Sequence, residues 1–147
     1  MQDFRHPAEG FVLPVPTEWQ QVVDAQPGIP LVAIEPERGP WFRANAVLTI
    51  EPLDPTLGLD AWQDQALQML PQVLDEFLLV DLEDIALGGQ PARRTLAHYA
   101  AQAGAVTAEL WATVHESRGY TLTTSVGTLE YDDLVDTFTA MAHGLRP

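Results

Sequence analysis

The chain predicts an α+β fold, an α/β/α sandwich in which helices cover a central, mainly antiparallel twisted sheet. Three observations predict it. Gly88-Gly89, Ala103-Gly104 and Arg118-Gly119 punctuate strand-like segments of the C-terminal half, as hairpin connections would. Leu59 to Leu74 and Tyr131 to Leu145 carry apolar residues at helical spacing. The strands are apolar on both faces, and a sheet of that kind needs a cover on each.

Taken in order, Phe11 to Val15 and Trp19 to Val23 read as short strands around Pro16-Thr17-Glu18. Pro14 cannot donate to a ladder, so the first belongs at an edge. Pro27, Gly28 and Pro30 mark a loop before a strand from Leu31 to Glu35, and Pro36 to Pro40 turns the chain into a longer strand, Trp41 to Glu51. There Phe42, Ala44, Ala46, Leu48 and Ile50 alternate onto one face. In the first helix Trp62, Ala66, Met69-Leu70 and Val73 form the stripe expected to be buried, and Pro71 predicts a kink or an end near Leu70.

Phe77 to Leu87 is a strand, followed by two hairpins. With Ala103-Gly104 as a turn, His98 faces Glu109 and Leu96 faces Trp111. With Arg118-Gly119 as the next, Trp111 faces Val126 and His115 faces Leu122. The closing helix has the stripe Tyr131, Leu134, Phe138, Met141, Leu145, with Thr128 as N-cap and Glu130, Asp132 and Asp133 in the first turn. Residues 1-147 are expected to form a single domain, with 1-10 as a loose N-terminal arm.

Composition excludes several functions. The 147 residues carry a net charge of -14, every basic residue is arginine, and there is no cysteine. Seven arginines scattered among 21 carboxylates make no footprint for nucleic acid, and the same balance disfavours anionic membranes. Disulfides and cysteine metal sites are excluded. The N-terminus lacks the basic flank and apolar run of a signal peptide, no segment is long and apolar enough for membrane insertion, and a cytoplasmic location is expected.

No catalytic constellation stands out. His98 and His115 lie on neighbouring strands but not opposite each other, and a metal site needs several convergent ligands. His6 and His143 are expected to be solvated. The acidic clusters Asp81-Glu83-Asp84 and Asp132-Asp133-Asp136 lack the spaced pattern and central glycine of a calcium loop. Ser117 and Ser125 lie in no nucleophile elbow, and Gly88-Gly89 leads into no helix, so it is no phosphate cradle. No catalytic, cofactor or metal residue is therefore assigned. Trp19, Trp62 and Trp111 fall on buried faces. Trp41, beside Pro40, is the tryptophan expected at the surface, and Trp41 with Phe42 is the candidate protein-binding pair.

Pro16-Thr17-Glu18-Trp19, Phe42-Arg43-Ala44-Asn45, Leu87 to Arg93, Gly119 to Thr123 and Tyr131 to Phe138 together resemble the PsbP/Mog-type superfamily. The likeness runs from Phe11 to the end and is nearest to small bacterial members related to LpqN-like lipoproteins and to effector-associated chaperones. It implies the three-layer sandwich and a group of mostly non-enzymatic adaptors, accessory subunits and chaperones. The leading expectation is a non-enzymatic adaptor or chaperone-like module. Its partner is another protein with a basic or exposed apolar surface, and edge strands leave a homodimer open. A small-molecule or lipid site between sheet and helix comes second. A hydrolase using dispersed acids with His98 or His115 comes last.

Overall fold

The computed structural model describes all 147 residues. Its elements are β1 (Gln2–Arg5), β2 (Val12–Val15), β3 (Gln20–Gln26), β4 (Ile29–Ile34), β5 (Asn45–Pro52), α1 (Leu59–Val73), β6 (Leu78–Leu87), β7 (Gln90–Ala101), β8 (Gly104–His115), β9 (Arg118–Gly127) and α2 (Tyr131–His143). Seven strands form one antiparallel sheet in the order β3-β4-β5-β9-β8-β7-β6, and β1-β2 form a separate ribbon. The two helices pack on opposite faces of the large sheet, the α+β arrangement that alternation of apolar residues on both strand faces demands.

The face under α2 holds the main core. Leu31, Ala46, Leu48, Trp111, Tyr120, Leu122 and Val126 alternate inward from four strands and meet Phe138, Met141 and Leu145 of α2 and Phe11, Leu13 and Val15 of the ribbon. The α2 stripe is thus the one read from sequence. The first ten residues are not a loose arm, because β1 pairs with β2 from Gln2 opposite Val15 to Arg5 opposite Val12. Pro14 does lie in a two-stranded ribbon, where a missing amide costs least.

The face under α1 is covered in part. Trp62 and Gln63 are buried, whereas Met69 and Val73 of the predicted stripe are exposed. The helix meets chiefly β7 and β8, so only its N-terminal half finds sheet beneath the Trp62 side. Pro71 does not end α1 at Leu70, since the helix runs on to Val73. It sits in the last turn, where one lost amide leaves only Leu67 unpaired, and the Leu74 amide still donates to the Leu70 carbonyl at 2.9 Å.

Two hairpin registers differ from the expected ones. Gly88-Gly89 is the β6-β7 turn, both residues at positive φ. The β7-β8 turn is Gln102-Ala103, so His98 faces Thr107 and Leu96 faces Glu109. The β8-β9 turn is Glu116-Ser117, so Trp111 faces Leu122 and His115 faces Arg118. Glu116 and Ser117 adopt φ of 51° and 60°, the left-handed pair of a two-residue hairpin that glycine usually supplies. Both slips are even, so every side chain keeps its expected face. Gly119, freed from the turn, serves packing instead: a Cβ there would run into the Trp62 ring. Thr128 does not cap α2. It opens a short 3-10 turn, Thr128–Glu130, that leads into the helix.

Candidate protein-docking site

The loop between β4 and β5 is clamped at its neck. Glu35 is buried; its Oε1 accepts the Ala44 amide at 2.8 Å, and its carbonyl accepts Arg43 Nε and Nη2 at 3.0 and 2.8 Å. The expected strand start at Trp41 is therefore a loop, and β5 begins at Asn45. Beyond the clamp Trp41 stands 65% exposed, while Phe42 is half-buried against Gly127.

The 3-10 turn faces this loop. Leu129 at its centre is 98% exposed. Arg38 ties the two segments together by pairing with Glu130 and, at 3.4 Å, with Glu35. The pairing with Glu130 is the first cause holding the Arg38 pKa above its usual value. From below, the Thr107 hydroxyl links Thr128 Oγ1 at 3.0 Å and His98 Nδ1 at 2.9 Å. Trp41, Phe42, Leu129 and Ala105 thus line a cleft of about 350 Å³ with Glu130 at its rim. Trp41 and Phe42 were legible candidates. Leu129 was not, since only the 3-10 turn takes it off the α2 stripe.

Of the two histidines expected to be solvated, His143 is exposed and His6 departs from expectation. His6 is not solvated but 2% exposed. Its Nδ1 accepts the amides of Ala8 and Glu9 at 3.1 and 2.9 Å, which leaves the proton on Nε2, donated to Asp24 Oδ1 at 2.7 Å. Asp24 lines a polar cleft of about 530 Å³ with Glu9, Gln26 and Arg118. A general base needs a free lone pair facing its substrate. Both His6 nitrogens are occupied, so the pair is a latch holding the N-terminal ribbon to β3. His115 is 3.8 Å from Glu116 at the β8-β9 turn, and exposed His143 meets the Trp111 edge. No three His, Asp or Glu side chains converge as metal ligands. No helix is long and apolar enough to cross a membrane.

Arg93 and Arg94 gather six further acids between them. Arg93 bonds Asp64 and Asp60 of α1 at 2.8 and 3.1 Å. On the other face Arg94 bonds buried Glu109 at 2.6 Å and Glu83 at 2.7 Å, and its guanidinium lies over the Trp111 ring. Above it, burial and then the Glu109 charge push the Tyr131 hydroxyl up to about 12.

No family model matches the chain, and no curated protein sequence matches it. Solved structures do. Cyanobacterial PsbP (CyanoP) of Synechocystis sp. PCC 6803 superposes with a TM-score of 0.77 at 16% identity, over 99% of this chain and 91% of that one. LpqN of Mycobacterium tuberculosis, described as involved in cell envelope biogenesis, gives 0.72 at 17%, over 99% and 90%. The chain has the PsbP/Mog-type fold. The Ran-binding protein Mog1p of Saccharomyces cerevisiae gives 0.66 at 10% identity, over 99% and 94%. At such identities these likenesses establish architecture, and the candidate site rests on this chain's own geometry.

Proposed function

We propose that the protein is a non-enzymatic protein-binding module, an adaptor or chaperone-like accessory protein, and that it docks its partner in the Trp41-Leu129 cleft. One observation carries this reading: two large apolar side chains, 65% and 98% exposed, flank a cleft held open by a buried Glu35 clamp and an Arg38-Glu130 pair. An exposed aromatic on a braced loop, beside a concave apolar surface, is the composition of an interaction anchor. The name of Mog1p as a Ran-binding protein is in keeping with this use of the fold. Glu130 in the cleft lining, with a net charge of -14, suits a partner that offers an apolar side chain flanked by basic residues.

The test compares native-lysate capture by the wild-type chain, by Trp41→Ala/Leu129→Ser, and by Asp24→Asn at the opposite polar cleft. A specific protein retained by the wild type and Asp24→Asn but lost from the double variant is the expected result. Trp41 and Leu129 are at the surface, so the unfolding free energy of the double variant, read by urea, stays within about 0.5 kcal/mol of wild type. Equal retention by all three removes the cleft as the docking site.

A further inference from the structure

The large sheet ends in two free edges that are unlike each other. The β3 edge is polar, with Gln20, Gln21 and Gln26 beside a single exposed Val23, and it is broken at Asp24 by a residue at φ 54°. The β6 edge is apolar. Leu78, Leu79, Val80 and Leu82 stand 60%, 39%, 46% and 41% exposed, with no element packed outside them. A free apolar edge is an invitation to pairing that proteins normally blunt.

Beyond its bulge at Val80, β6 runs in unbroken register with β7 from Leu82 to Leu87. The Leu82 amide points away from β7, since it is taken by the Asp81 carboxylate at 2.9 Å. Strand alternation then turns the backbone groups of Asp84 and Ala86 outward as well. The side chains sort by face. Leu79 and Leu82 lie on the α1 side with Ala97 and Thr95, and Asp81 and Glu83 lie on the α2 side with Leu96 and Arg94.

Charge decides what fits there. Asp60, Asp64 and Asp84 share Arg93, and Asp81, Glu83 and Glu109 share Arg94, so six carboxylates surround two guanidinium groups. A second copy of β6 is a poor occupant: antiparallel pairing through the outward groups of Leu82, Asp84 and Ala86 would set Asp84 directly opposite Asp84 of the copy. We infer that the β6 edge accepts an extended cationic segment of a partner protein as an eighth strand. Its backbone pairs with the amides of Asp84 and Ala86 and with the Leu82 carbonyl. Its apolar side chains lie over Leu79 and Leu82, and its arginines or lysines alternate onto the Asp81-Glu83 face.

The probe is a short peptide alternating arginine and valine, titrated into the isotope-labelled full chain and followed by amide shifts and hydrogen exchange. Controls are a glutamate-valine peptide and an arginine-valine peptide N-methylated at alternate residues. The expected result is perturbed amide shifts along Leu82 to Ala86 and slowed exchange at Asp84 and Ala86, absent with both controls. Ala86→Pro removes an outward amide that β7 does not use, and it weakens binding about tenfold by deleting one edge hydrogen bond. Asp84→Lys weakens binding through charge while leaving the backbone intact. The inference is overturned if β6 amides do not respond, if the N-methylated peptide binds equally, or if the response maps to the Trp41-Leu129 cleft. It is also overturned if the same amides become protected with protein concentration alone, which would make a second copy the occupant.

Discussion

Glu109 is 1% exposed, and while Oε2 takes the Arg94 hydrogen bond, Oε1 has no partner. Its charge is held in the sheet by Arg94, so removing that arginine leaves a buried carboxylate uncompensated. Arg94→Met is expected to cost about 3–5 kcal/mol, and Arg94→Met/Glu109→Leu to recover most of it, as apolar replacements of buried pairs do. Urea unfolding of the two variants checks this. Tyr131 above the pair titrates at about 12 when folded, against 10.0 for an unperturbed tyrosine. The folded chain therefore favours the protonated phenol. That contribution is complete below about pH 10 and is lost as pH rises towards 12. Tyr131→Phe should flatten the alkaline fall of the urea midpoint. It should not abolish it, because burial also raises Tyr120.

Between elements, Trp62 of α1 lies directly on Gly119 of β9 and donates Nε1–H to Glu51 Oε1 on β5 at 2.9 Å. This contact seats the N-terminal turns of a helix that has no side-chain N-cap. Gly119→Ala should cost about 1–3 kcal/mol by overpacking. In a Trp62→Leu background the same change should cost much less, and a double-mutant cycle reads the difference as coupling between α1 and β9. The glycine pair at 88-89 was legible as a turn because both residues take positive φ. Gly119 was misread as one, because an invisible neighbour, the Trp62 ring, is what forbids its side chain. Glu116 and Ser117 were overlooked as the turn because nothing local distinguishes them from strand-end residues.

At the scale of the molecule, two helices on opposite faces of an antiparallel sheet were legible because alternation and helical spacing are local properties that burial must satisfy. Both misread hairpins slipped by an even number of residues, so the faces survived while the partners changed. The candidate site was legible in half: Trp41 beside Pro40 announced an exposed aromatic, but Leu129 is brought opposite it by the β9-α2 connection. His6 and Asp24, 18 residues apart in the chain, meet only because the ribbon packs beside β3. Amino-acid order alone determined the element types, the inward faces and the acidic surface, since each follows from neighbours within a few residues. Tertiary structure decided the strand registers, the His6 latch, the exposure of Met69 and Val73 and the bare β6 edge. Those depend on which distant surfaces meet and which find nothing to cover them.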